Sequence, residues 1–127
     1  LNENTLLIAA DTIVCLKNEI LGKPKDHTEA FDMIKSLSGK KHKVITGVCI
    51  RSLEKKVTFS ALTKVYFKQI PDDEINFYIT EFKPYDKAGA YGIQEWIGHT
   101  CIEKIKGSYF NVMGLPIQRL YEELKNF

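Results

Sequence analysis

A mixed α/β domain is the fold class this sequence predicts, and three observations carry it. An apolar run, Leu6-Leu7-Ile8-Ala9-Ala10, resumes after a single acid as Thr12-Ile13-Val14-Cys15-Leu16. Two strand-like segments, 43–50 and 56–70, follow one another across the short polar link Leu53-Glu54-Lys55. Three stretches with apolar residues at helical spacing open on capping or turn residues, at Asp26, at Pro71 and at Leu115-Pro116. A period of two argues for strands and a period of 3.6 for helices. At 127 residues, 44% hydrophobic and 27% charged, the chain reads as one domain, 1–127, large enough to bury a core without disulfides.

In chain order, the first apolar run suits a strand buried on both faces, with Asp11 standing where such a strand would end. Lys17-Asn18-Glu19 is turn-like, and Ile20-Leu21 begins a short return strand. Asp26 with Glu29 three positions later is a capping-box pattern; the helix it opens carries Ala30, Phe31, Ile34 and Leu37 on one face and stops at Gly39. Val44, Thr46, Val48 and Ile50 alternate with Lys43, Ile45, Gly47 and Cys49 in a mostly buried strand. The next strand puts Val57, Phe59, Ala61, Thr63, Val65 and Phe67 on one face, so the two form an antiparallel hairpin. Pro71-Asp72-Asp73-Glu74 starts a helix with acids in its first turn, where the helix dipole favours them, and its apolar side is Ile75, Tyr78 and Ile79. Residues 100–106 read as a strand, and Leu115-Pro116 opens a last helix with a stripe of Ile117, Leu120, Tyr121 and Leu124.

The net charge of +2 is too mild to argue for a nucleic-acid or membrane surface. Cys15, Cys49 and Cys101 are widely spaced, odd in number and flanked by apolar residues, which reads as reduced core thiols without metal spacing. No apolar run approaches the roughly 18 residues of a membrane span. A reducing, cytoplasmic setting with no nucleic acid and no membrane partner is the expectation.

The most informative stretch is Asp86-Lys87-Ala88-Gly89-Ala90-Tyr91-Gly92-Ile93-Gln94. Glycine weakens helix and strand alike, and adjacent Asp and Lys are costly inside an apolar core. The stretch therefore reads as an ordered loop that presents polar groups to something small. Asp11 reads either as a turn-capping residue beside Thr12 or as a metal ligand or general base. Lys23, between Gly22 and Pro24, is either a solvated surface lysine or a cation aimed at a phosphate. His42 heads a His-x-x-x-Thr-Gly segment and, without partners, gives weak metal evidence. The segment 107–116, rich in Gly, Ser and Asn, is either a turn seating the last helix or an anion site of free N–H groups. Carboxylate, lysine, amide and glycine turns, without a Cys–His or Ser–His pair, point to phosphate chemistry assisted by a divalent metal.

The ordered set Ala-Asp-Thr (10–12), Leu-Gly-Lys-Pro (21–24), Leu-Ser-Gly (37–39), His-x-Val-x-Thr-Gly (42–47), the 86–94 loop and Tyr-Phe-Asn-Val-Met-Gly-Leu-Pro (109–116) closely resembles the Maf family of nucleoside triphosphate pyrophosphatases, linked with bacterial septum formation. The resemblance implies an α/β architecture with a bent mixed sheet and flanking helices, similar to the inosine-triphosphate pyrophosphatases. It implies hydrolysis of a nucleoside triphosphate to the monophosphate and pyrophosphate with Mg²⁺ or Mn²⁺, and often a homodimer. Carried over by motif, Asp11 is the proton acceptor and a metal ligand, Lys23 holds the triphosphate, and Thr12 and Gln94 help choose the base. Asp86 and Lys87 match the metal and phosphate environment. The Ala-Tyr-Gly-Ile-Gln form of the loop resembles the subgroup acting on dTTP and UTP. Family members begin with a strand, a Ser-Ala-Ser-Pro-Arg-Arg loop and helix, and a nearby acid; none of these is in this sequence, which begins at Leu1 without Met. The expectation is a longer natural protein. The alternative function is a nucleotide-binding regulator of cell division without turnover.

Overall fold

The computed structural model describes residues 2–127. Five strands form one sheet in the order β2-β1-β3-β4-β5, with β1 Leu7–Leu16, β2 Glu19–Leu21, β3 Lys41–Arg51, β4 Lys56–Phe67 and β5 Ile102–Lys106. Helices α1 (His27–Leu37) and α2 (Asp72–Phe82) pack on one another. Two 3-10 turns, Pro84–Asp86 and Ala88–Ala90, lead to α3 (Trp96–Cys101), and α4 (Tyr109–Met113) and α5 (Ile117–Lys125) close the chain. The mixed α/β class holds, but every strand pairing among the described residues is antiparallel, not mixed as the resemblance implied. Hairpin-length links dictate this for two of the four pairings: Lys17-Asn18 joins β1 to β2 and 52–55 joins β3 to β4.

Local signals explain most elements. Asp26 caps α1 by accepting the Glu29 N–H at 2.9 Å, a contact typically worth about 1 kcal/mol, and Gly39 leaves the helix at φ +70°. Ala30, Ile34 and Leu37 of α1 and Ile75, Tyr78 and Ile79 of α2 are buried together in the main core with Val14, Val44, Val65 and Phe67. Each large side chain so buried contributes about 1.5–3 kcal/mol. On β3, residues 42, 44, 46, 48 and 50 all point inward, as the alternation predicts. A second, smaller core of Val48, Ile50 and Leu120 seats α5 at the far end of the sheet.

Other expectations are corrected as well. The apolar β1 is not buried on both faces: residues 7–11 are exposed and only Val14 is fully buried, because the covering 3-10 turns reach the strand near Val14. Asp11 is in the middle of β1, not at its end; β2 pairs only with residues 14–16, so 7–13 have β3 on one side alone among the described residues. The strand expected over 100–106 starts at Ile102, preceded by helix α3. On the last helix only Leu120 of the expected stripe is buried, while Ile117 and Tyr121 are exposed. All three cysteines are free, but Cys101 alone is fully buried. No described helix is long and apolar enough to cross a membrane.

Candidate active site

Where β2 stops and the edge of β1 lies open, a cavity of about 450 Å³ forms between β1, the loop after β2, the 86–95 loop and the end of α4. All six residues singled out from the sequence line it: Asp11, Thr12, Lys23, Asp86, Lys87 and Gln94. Val14, Val44 and Val112 supply apolar wall between them. They come together because Asp11 is held mid-strand opposite Gly47, Lys23 follows the short β2, and Gly89 docks the later loop on β1. Gly89 has φ +72°, and a Cβ there would lie 3.0 Å from Val14 Cγ1. Its N–H donates to the Gly22 carbonyl at 3.0 Å, which ties the Asp86-Lys87 loop to the Lys23 loop.

Electrostatically the cavity combines three carboxylates, Asp11, Asp86 and Glu95, with two ammonium groups, Lys23 and Lys87. Lys87 Nζ donates to Asp86 Oδ1 at 3.3 Å. Asp86 is held below the usual carboxylate range, first by a hydrogen bond to its own backbone, then by Lys87 and more weakly by Lys23, so it stays ionised at neutral pH. Among the described residues no group of three or more His, Cys, Asp or Glu could hold a metal by itself. The donor set fits a cation of the Mg²⁺ kind, which takes one or two carboxylates and completes its octahedron with water and substrate phosphates. Asp11 and Asp86 are the carboxylates so available.

Thr12 is fixed from below. Its Oγ1 lies 2.9 Å from Thr46 Oγ1 and 3.4 Å from the Gly114 carbonyl, the two acceptors within reach of its one proton. Thr46 Oγ1 donates to the Asn111 carbonyl at 3.2 Å. Asn111 is fully buried, and its Nδ2 donates to the carbonyls of Val44 and Ala61 and to Thr63 Oγ1 at 3.0–3.2 Å. The segment 107–116 therefore seats the last helices on the sheet through Asn111. Ser108 Oγ already accepts the Asn111 N–H, and α4 is seated on β3 and β4. His42 is likewise structural: its Nε2 lies 2.7 Å from Tyr91 Oη, and its ring packs edge-on against Phe67 and Tyr91. Burial pushes its pKa down to about 4, so it is neutral at pH 7.

Sequence reasoning missed two contributors. Glu95 lines the cavity one residue beyond the recognised loop motif. The helical spacing places Tyr78 in the core alone, yet its hydroxyl donates to Glu95 Oε1 at 2.6 Å and accepts the Gly92 N–H at 3.1 Å. The signal for Glu95 was its place after Gln94; for Tyr78 it was a phenol among aliphatic core positions, since a buried Tyr hydroxyl usually finds a partner.

Comparison with known proteins agrees with these motifs. The chain is 54% identical over 125 residues to the dTTP/UTP pyrophosphatase of Parabacteroides distasonis, covering 98% of this chain and 65% of the relative. It is 50% identical over 127 residues to that of Porphyromonas gingivalis, covering all of this chain and 64% of the relative. The corresponding figures for the enzyme of Christiangramia forsetii are 55% over 125 residues, 98% and 64%. The chain thus spans a little under two thirds of the length of the curated relatives it matches. The model of one family, described as Maf-like protein, matches residues 1–127 without interruption, and the chain belongs to that family.

Proposed function

We propose that this chain carries the central site of a nucleoside triphosphate pyrophosphatase acting on dTTP and UTP. The observation that supports it best is the convergence of Asp11, Lys23, Asp86, Lys87 and Gln94 on one cavity from three separate parts of the chain. The similar proteins from Parabacteroides distasonis and Porphyromonas gingivalis bear that name.

In this reading the triphosphate lies between Lys23 and Lys87, whose ammonium groups offset its charge. Asp11 takes a proton from a water as the water oxygen bonds to the α-phosphorus. The bond from that phosphorus to the α–β bridging oxygen breaks, leaving the nucleoside monophosphate and pyrophosphate. A divalent cation, held by Asp11 and Asp86 with the phosphate oxygens, would stabilise the charge developing there. The base reaches the Thr12 and Gln94 side of the cavity. An amide both donates and accepts, so Gln94 meets the N3–H and O4 of thymine or uracil in one contact pair. A homodimeric assembly belongs to the same proposal.

Phosphorus NMR of the products tests this reading. Incubation with dTTP or UTP and Mg²⁺ or Mn²⁺ is expected to give monophosphate and pyrophosphate in equal amounts. Release of orthophosphate and diphosphate would place bond breaking at the γ-phosphorus and overturn it.

A further inference from the structure

Gln94 is one of the two central residues of a four-residue turn. The turn is closed by the Glu95 N–H, which donates to the Gly92 carbonyl at 3.1 Å. Ile93, the other central residue, is buried in the main core, whereas Gln94 is exposed on the cavity. Both ends of this turn meet a single atom: the Tyr78 hydroxyl donates to Glu95 Oε1 at 2.6 Å and accepts the Gly92 N–H at 3.1 Å. A hydroxyl–carboxyl bond of that length belongs to the stronger class.

Tyr78 is a rigid post for this purpose. It is fully buried on α2, stacked on Phe82 at 5.3 Å and on Trp96 at 6.4 Å, each with its ring within 22° of parallel. Burial and the Glu95 carboxylate raise the pKa of its phenol, so the donor persists at every working pH. From the other side α3 presses on the same turn: a Cβ on Gly98 would fall 1.8 Å from the Ile93 carbonyl oxygen. The turn is thus tied at both ends and wedged beneath, and the freedom that remains is that of the Gln94 side chain.

We propose that Tyr78 and Glu95 are positioning residues for nucleotide selectivity: together they aim the Gln94 amide at the base, and they do not act on the hydrolytic step. The proposal rests on the pyrophosphatase reading above. It assigns the Glu95 carboxylate to the turn, where its Oε1 accepts from Tyr78.

The test compares wild type with Tyr78→Phe, Glu95→Ala and Glu95→Gln on dTTP, UTP, dATP and dGTP. Dissociation constants are read in parallel from the emission of Trp96, the chain's one tryptophan, in Ca²⁺ to hold turnover back. Tyr78→Phe keeps the ring packing, and thermal unfolding checks that each variant is folded. In Tyr78→Phe and Glu95→Ala, the dTTP-to-dATP ratio of kcat/KM is expected to fall about tenfold or more, through KM, with kcat on dTTP within about threefold of wild type. The dissociation constants should converge in the same way. Glu95→Gln keeps an acceptor for the Tyr78 hydroxyl and should retain most of the selectivity. Equal loss on all four nucleotides with an unchanged ratio would overturn the proposal, as would kinetics unchanged in every variant. A Glu95→Gln variant inactive on every nucleotide would give the carboxylate a direct role and overturn it too. A wild type that turns over none of the four would overturn the pyrophosphatase reading itself, and this inference with it.

Discussion

The hydroxyls of Thr12 and Thr46 lie 2.9 Å apart across the β1–β3 pair, beneath the cavity that Asp11 and Lys23 line. Neither threonine stands alone, because Thr46 passes the connection to the Asn111 carbonyl and the Asn111 amide reaches β3 and β4. The Thr12 side of the cavity and the sheet are therefore joined by a buried polar network. Such networks stiffen a site when satisfied and are costly when broken.

Asn111 is the member on which most of that network converges. Replacing it with Ala leaves the Val44 and Ala61 carbonyls and the Thr63 hydroxyl short of a donor in a dry interior. The expected loss is about 3 kcal/mol, since each buried group left unpaired costs about 1–3 kcal/mol. Asn111→Asp, nearly isosteric, should lose at least as much, because a carboxylate cannot donate to two carbonyls. Urea unfolding reads both losses, and a change below about 1 kcal/mol in either variant would mean that the network contributes little.

His42 makes stability depend on pH with a defined sign. Its pKa in the folded chain is about 4, against an ordinary value of 6.5. The unfolded chain therefore binds a proton first as pH falls, and protonation favours unfolding. Stability is full above about pH 6.5, declines between about 6.5 and 4, and levels off below; at about 1.4 kcal/mol per pH unit the total is about 3 kcal/mol. Urea midpoints from pH 7.5 to 4 measure this slope, and His42→Gln should flatten it. An equal slope in the variant would assign the acid sensitivity to other groups.

Gln94→Glu separates base reading from the phosphate machinery. In the proposed pose the substitution removes the donor to O4 and keeps an acceptor. Turnover of dTTP and UTP is expected to fall by about tenfold or more relative to purine nucleotides, with the Mg²⁺ concentration for half-maximal rate unchanged. Kinetics on a nucleotide panel at several Mg²⁺ concentrations check both parts, and uniform loss on all nucleotides would contradict the role.

Much of this arrangement is legible in the sequence, and the exceptions have physical causes. The Asp26–Glu29 cap, the β3–β4 hairpin and the acidic start of α2 are local signals, and all three are seen in the structure. The six cavity residues were also found, because polar side chains inside apolar or glycine-bearing runs are conspicuous. What was missed depends on partners distant in sequence. Asn111 looks like a turn residue until β3 and β4 are seen above and below it, and Tyr78 looks like core until the Gly92–Glu95 turn comes back to its hydroxyl. A carboxylate in a buried strand is costly, so the pattern places Asp11 at a strand end; the strand carries it in mid-course because the side chain is exposed there. The brief helix α3 carries no cap signal, since no side chain caps its first turn.

The most direct test of the central claim is pyrophosphate release by wild type and by Asp11→Asn, measured on dTTP and UTP with Mg²⁺ or Mn²⁺ alongside nucleotide binding. The account predicts turnover in the wild type and, in the variant, a kcat lower by about 10²–10⁴-fold, the usual contribution of a general base, with binding retained. Undiminished turnover in Asp11→Asn would contradict it, and so would nucleotide binding by a wild type that never releases pyrophosphate.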